Sequence, residues 1–157
     1  MLNRKTYYGL QALLFLARNM DSSSVAINSI AQSLEISRKF LEKILVELAS
    51  EGLVSSKKGR SGGYFISKQL NDISLADIVR VLEGPIALLP CASHRFYEPC
   101  KECESPDKCS LQDALVNVRN STVHSLKSIK ISDILLNEEK LNRGILKLQR
   151  PIPFKEK

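Results

Sequence analysis

Four cysteines crowd one stretch of the chain in the pattern Cys91-x8-Cys100-x2-Cys103-x5-Cys109. Four thiolates converging in a short loop can hold zinc or an iron–sulfur cluster, and without metal they can act as a thiol switch. The spacing is neither the paired C-x2-C…C-x2-C of a zinc ribbon nor a ferredoxin run. Of the two histidines, His94 lies inside the same stretch, where an exposed loop histidine is more often incidental than a ligand. His124 falls on a later helix, away from the cysteines. A second group carries charge instead of thiols. Ser37, Arg38, Lys39, Phe40 and Lys43 gather at the start of one helical stretch, and Lys57, Lys58 and Arg60 surround Gly59, Gly62 and Gly63. Arginine and lysine offer donors to phosphate and guanine, and an exposed ring can touch a thymine methyl. The plainer alternatives are solvated lysines and a Phe40 that belongs to the core. No acid–base pair, nucleophile–base set or phosphate-binding loop is present, so an enzyme is not expected.

The periodicity of the chain supplies elements that would position these groups. Leu10, Leu13, Leu14 and Ala17 mark a first amphipathic helix between about Asn3 and Met20, and Ile27, Ile30, Ala31 and Leu34 a shorter second one. Glu35-Ile36-Ser37 makes a tight turn, and Ser37 caps a third helix with the stripe Leu41, Ile44, Leu45, Leu48. Two short helices joined this way form a helix-turn-helix, which sets the start of the third helix against base edges in the major groove. Gly52 suits the left-handed residue that closes the helix. Leu53–Ser55 and Tyr64–Ile66 then read as two strands around a basic, glycine-bearing turn, and a hairpin in that place is a wing. Ser74 and Asp77 cap a fourth helix that Gly84-Pro85 ends. Residues 85–109 show no periodicity, and a loop of that length is usually functional or disordered. From Ser110 the positions Leu115, Val118, Thr122, Leu126 and Ile129 give a near-heptad seam, expected to pair with a second copy.

Composition sets outer limits. The chain has 157 residues and a net charge of +6, with 43% hydrophobic and 25% charged residues, as in a globular protein with a real core. Charge is uneven: residues 1–68 carry +5, residues 69–109 carry −3, residues 110–136 carry +1 and the rest +3. A basic first segment suits a polyanion partner. No apolar run approaches the roughly 18 residues of a membrane span, and residues 1–20 lack a signal-peptide core. A cytoplasmic location is expected, where structural disulfides are rare.

The chain resembles the Rrf-two family of bacterial winged-helix transcription regulators, of the IscR and NsrR type. The match rests on Tyr8-Gly9-Leu10-Gln11-Ala12-Leu13, Ile30-Ala31, Ile36-Ser37, Phe40-Leu41-Glu42-Lys43-Ile44-Leu45 and Gly52-Leu53-Val54. It continues through Gly59-Arg60-Ser61-Gly62-Gly63-Tyr64, Leu75-Ala76-Asp77-Ile78-Val79 and Glu83-Gly84, covering roughly residues 1–135. The resemblance implies a homodimer that binds specific double-stranded DNA and whose cysteine loop carries an iron–sulfur cluster. Three features depart from the family pattern. Lys58 replaces the usual arginine before the wing glycine, which keeps charge but loses the planar fork. Glu35 stands at a turn position usually held by glycine. In the loop only Cys103-x5-Cys109 keeps the common gap, Gln112 occupies the place of a histidine ligand found in some relatives, and Lys5–Tyr8 lacks the carboxylate that others use.

The sequence therefore predicts a mostly α protein with a small β-wing. Residues 1–84 form a winged helix-turn-helix DNA-binding domain, 85–109 a cysteine sensor loop, 110–136 a dimerisation helix, and 137–157 a poorly ordered tail. The expected DNA-contacting residues are Ser37, Arg38, Lys39, Phe40, Lys43, Lys57, Lys58 and Arg60. The expected metal ligands are Cys91, Cys100, Cys103 and Cys109, holding an iron–sulfur cluster (2Fe-2S or 4Fe-4S) or, alternatively, zinc. The function expected is a DNA-binding regulator modulated by that cluster in response to redox state, iron or nitric oxide. A zinc-stabilised or thiol-switch regulator, or an interaction protein, is the alternative. No small-molecule substrate and no membrane partner are expected.

Overall fold

Residues 2–59, 62–101, 105 and 108–147 are described by the structure, a computed structural model. Among them run helices α1 (Arg4–Arg18), α2 (Ile27–Ser33) and α3 (Arg38–Ser50), strands β1 (Val54–Lys57) and β2 (Gly63–Ile66), and helices α4 (Leu75–Leu82), α5 (Ser110–Ser128) and α6 (Ile131–Asn142). Single 3-10 turns cover Leu70–Asp72 and Pro90–Ala92. The mostly helical winged helix-turn-helix with a two-stranded wing is present as expected.

Helices α1, α3, α4 and α5 each begin where the side chain of the N-cap residue accepts one of the first free N–H groups. The Asn3 side chain accepts the Thr6 N–H at 2.9 Å and starts α1. Asn3 is itself gripped by Glu83, which accepts its backbone N–H at 2.6 Å and its Nδ2 at 2.9 Å. The beginning of α1 is thereby tied to the end of α4. Along α1, a Cβ at Gly9 would strike Leu82 Cδ1, so the close packing of α1 on α4 relies on the missing side chain there. Below that contact Leu13, Leu16, Ile30, Leu41, Ile44, Leu45 and Leu48 are fully buried with Ile73 and Ile78. These are the i, i+3, i+4 stripes of α1, α3 and α4 facing one another, and each fully buried aliphatic side chain contributes about 1.5–3 kcal/mol.

The turn between α2 and α3 is left-handed at Glu35, with φ at 53°. Ile36 then donates its N–H to the Ala31 carbonyl at 3.1 Å and half-buries its side chain against the core. In the wing, Val54 pairs with Ile66 and Lys57 with Gly63. Val25 extends the ladder through two 2.8 Å hydrogen bonds with Tyr64. That close approach explains the glycine pair: a Cβ at Gly63 would run into the Val25 carbonyl, and one at Gly62 would lie 2.5 Å from the Lys57 carbonyl.

At α4 the expected capping box is complete. Ser74 Oγ accepts the Asp77 N–H, and Asp77 Oδ2 accepts the Ser74 N–H at 3.0 Å. Burial pushes the Asp77 carboxyl up, but the Ser74 hydroxyl and N–H, with Arg80 and Lys130 nearby, outweigh it and hold the group below its ordinary value of 3.8.

The C-terminal third departs from expectation. The single helix foreseen over 110–136 ends at Ser128, and α6 starts at Ile131. Between them the chain is extended and pairs with the segment before α4. Leu75 N–H donates to the Ile129 carbonyl and Ile131 N–H to the Ile73 carbonyl, both at 3.0 Å, around a bridge between Ser74 and Lys130. Ile131 is then fully buried in the winged domain's core. Arg18 meets Glu138 at 2.9 Å, holding α6 against α1. Residues 137–142, expected in a loose tail, complete α6; the rest of that tail from residue 148 lies outside the described residues.

Two outcomes follow from these local features. Glycine at position 35 relieves a left-handed strain of about 1–2 kcal/mol and gives back about 0.5–1 as unfolded-state entropy. Glu35→Gly is therefore expected to stabilise the protein by about 0.5–1 kcal/mol in denaturant unfolding; a loss of stability would contradict the strain. Asp77 has a depressed pKa, so its stabilisation is present above its ordinary value and is lost as pH falls through the depressed one. Asp77→Asn should cost about 1 kcal/mol at neutral pH, and the gap to wild type should close in melts run below about pH 4.

Candidate nucleic-acid interface and cysteine loop

The start of α3 is organised by Ser37, whose hydroxyl accepts the Phe40 N–H at 3.2 Å. This cap occupies the Ser37 side chain, so its role here is to begin the helix. Arg38, Lys39 and Lys43 are exposed, and Lys39 and Lys43 lie one turn apart on the same face. Phe40 is turned the other way. It is half-buried and meets Tyr8 edge-to-face, with ring centroids 5.9 Å apart, while Tyr8 meets Tyr7 at 5.2 Å. Phe40 therefore helps set the contact between α1 and α3, as a half-buried ring at the helix start. Exposed Tyr7, at the outer end of this row of rings, went unnoticed in the sequence. Only its place next to Tyr8 in the motif hinted at it. Lys57 at the end of β1 and Lys58 in the turn are both exposed, beside Gly59 with φ at 113°. Arg60 lies outside the described residues. The arrangement offers cations on two elements, one helix end and one hairpin, as groove and phosphate contacts require.

The cysteine stretch is less irregular than its sequence. Cys91 is buried in the 3-10 turn at Pro90–Ala92, and Cys109 is the N-cap of α5. Gln112 joins the two. Its backbone N–H donates to Cys109 Sγ at 3.4 Å, and its Nε2 donates to the Cys91 carbonyl at 2.8 Å. Gln112 was singled out in the sequence only as a ligand that is missing; nothing there marked it as a connector. Cys100 is exposed, and Cys103 lies outside the described residues. Among the described residues no group of three or more His, Cys, Asp or Glu side chains is placed to hold a metal ion. The donor chemistry still suits an iron–sulfur cluster: thiols are its usual ligands, Cys109 caps α5, and Cys91 is tied to the same helix start through its carbonyl. His94 and His124 are both exposed.

A helix-turn-helix followed by a basic hairpin defines a winged-helix DNA-binding protein. The sequence profile of the Rrf2 (Rrf-two) family, described as an iron-dependent transcriptional regulator, matches residues 2–137. A protein of Rhodobacter capsulatus described as an HTH-type transcriptional regulator, rrf2-like, is 37% identical over 138 residues, 86% of this chain and 92% of its own. Among solved structures, IscR of T. potens superposes with a TM-score of 0.69 at 28% identity, covering 90% of each chain. CymR (YrzC), the global cysteine regulator of B. subtilis, gives a TM-score of 0.67 at 30% identity, covering 85% of this chain and 95% of its own. The chain belongs to the Rrf2 family of DNA-binding transcriptional regulators. No helix among the described residues is long and apolar enough to cross a membrane.

Proposed function

We propose that this protein is a homodimeric, cytoplasmic regulator that binds specific double-stranded DNA and whose affinity is modulated by an iron–sulfur cluster in the cysteine loop. The observation that carries this reading is the Gln112 connection. It anchors the two ends of the cysteine stretch to the first turn of α5, and the last turn of α5 is hydrogen-bonded to the segment that starts α4. A change in the loop therefore reaches the winged domain through one helix. Cys91, Cys103 and Cys109 would be the ligands, with Cys100 as the fourth. When bound, the cluster would supply redox and nitric-oxide chemistry at this loop.

Dimerisation is supported by the outer face of α5. Leu111, Val118 and Ile129 are 61%, 48% and 40% exposed. The seam expected from the sequence divides: Val118, Thr122 and Ile129 face outward, while Leu115 and Leu126 are half-buried on the inner face. DNA contact falls to Arg38, Lys39, Lys43, Lys57, Lys58 and Arg60, with Ser37 and Phe40 shaping the helix start. A thiol switch without metal is the second reading, favoured by the exposed Cys100 and by the likeness to CymR.

Two measurements test the proposal. Against a duplex selected by the wild-type protein from a random pool, Lys39→Ala and Lys58→Ala should each weaken binding and lower the slope of log K against log salt by about 1. Unchanged affinity and slope in both variants, with intact fold, would remove α3 and the wing from the interface. Protein purified without oxygen should be brown and carry iron and sulfide. Cys91→Ser and Cys109→Ser should abolish that content; colourless protein with zinc, or metal-free protein whose DNA binding follows thiol oxidation, would select the other readings.

A further inference from the structure

A cleft of about 810 Å³ lies on the side of the winged domain away from the DNA-reading helix start. Its walls are the last turn of α3, the middle of α4, the loop after Gly84 and the middle of α5. Its volume falls in the range that holds small molecules. Lys68, Arg80, Arg95, Arg119 and Lys127 line it, five cations from four separate parts of the chain, with His94 beside them. Three carboxylates also line it, and two of these are already engaged. Glu47 pairs with Lys5 at 2.8 Å, and Asp77 accepts the Ser74 N–H and hydroxyl in the α4 cap. Asp77 also lies near Arg80 and offsets part of its charge, which leaves Glu51 against the other cations; Lys68 Nζ reaches only the Glu51 backbone carbonyl, at 3.4 Å. The ion pairs of the described residues do not involve Arg80, Arg95, Arg119 or Lys127. Arg119 is held in orientation by Asn120, whose Oδ1 accepts from both Nε and Nη2.

We infer that this cleft binds a small polyanion, carboxylate- or phosphate-bearing, as an effector of the regulator. Arginines from α4, the loop and α5 line one space, and guanidinium groups suit planar carboxylate or phosphate anions better than a diffuse counter-ion layer does. DNA is a poor occupant. The cleft is reached only at Glu47 and Ser50 of α3, about 15–20 Å along the helix from Ser37. An anion here bridges the recognition helix, the cysteine loop and α5, so its binding would alter the same elements that a cluster would. The inference stands whether or not the loop holds metal.

The test uses the full-length protein and isothermal titration with citrate and with inorganic pyrophosphate, against chloride at matched ionic strength. One saturable site per chain is expected for at least one of the two anions. Arg95→Gln and Arg119→Gln should each weaken it tenfold or more, while Lys101→Ala, a charge change outside the cleft, should not. Thermal melts confirm that the variants are folded. Absence of saturable binding below about 10 mM, or equal binding by wild type and both arginine variants, would overturn the site. So would an anion that is lost on Lys39→Ala and competes with DNA, because it would then occupy the DNA-reading face. A failure of the iron–sulfur reading shows in metal content instead and leaves this titration unaffected.

Discussion

Two backbone hydrogen bonds, Leu75 to Ile129 and Ile131 to Ile73, hold together parts of the chain more than fifty residues apart. Much else depends on them. They pair peptide groups of the buried residues Ile73 and Ile131, which unpaired would cost about 1–3 kcal/mol each. They deliver Ile131 into the core, where its burial contributes about 1.5–3 kcal/mol. They also set Lys130 near Asp77, where its charge helps keep the capping carboxylate ionised. The cap of α4, the end of α5 and the start of α6 form one junction. Glu83 at the far end of α4 then fixes the start of α1, so α4 links the entry of the winged domain to its exit.

The electrostatic division of the chain follows the same layout. Cations on α3 and the wing are exposed and unconstrained, which suits long-range attraction to phosphate and a binding strength that falls with salt. Carboxylates in the structure do different work: Asp77 and Glu83 accept backbone N–H groups at helix starts. Asn3 is the chief reason the Glu83 carboxyl lies below its ordinary value, with burial opposing it and Thr6 and Lys5 adding to the effect.

The winged domain was legible because its signals are local. Ser37, Ser74 with Asp77, and the apolar stripes of α1 and α3 each act within a turn or two, and each reappears as a cap or a core face. Glycines at 9 and 63 could be noticed in the sequence, but their reasons lie in Leu82 and Val25, far along the chain. The C-terminal third was misread for a physical cause. Ile129 has the spacing of a seam residue, yet its carbonyl is committed to Leu75, and a heptad pattern records side-chain spacing without showing where the backbone pairs. Phe40 was legible only in part: its position at the helix start is visible, while its ring's partner, Tyr8, belongs to another helix. Gln112 could not be foreseen, since its two bonds join the ends of a loop whose path periodicity does not describe.

Were the junction at Ile129–Ile131 to turn, it would be a pivot with a long arm. The nineteen residues of α5 reach about 28 Å from it to Cys109. A rotation of about 7° at the pivot moves the far end by about 3.4 Å, which equals the rise of one base pair. In the proposed two-fold pair joined along α5, the same small angle run in reverse would convert a slight displacement at the cysteine end into a change of register between two recognition helices. Such leverage would favour a sensor far from the pivot, and Cys109, one of the proposed ligands, stands at the greatest distance that helix provides.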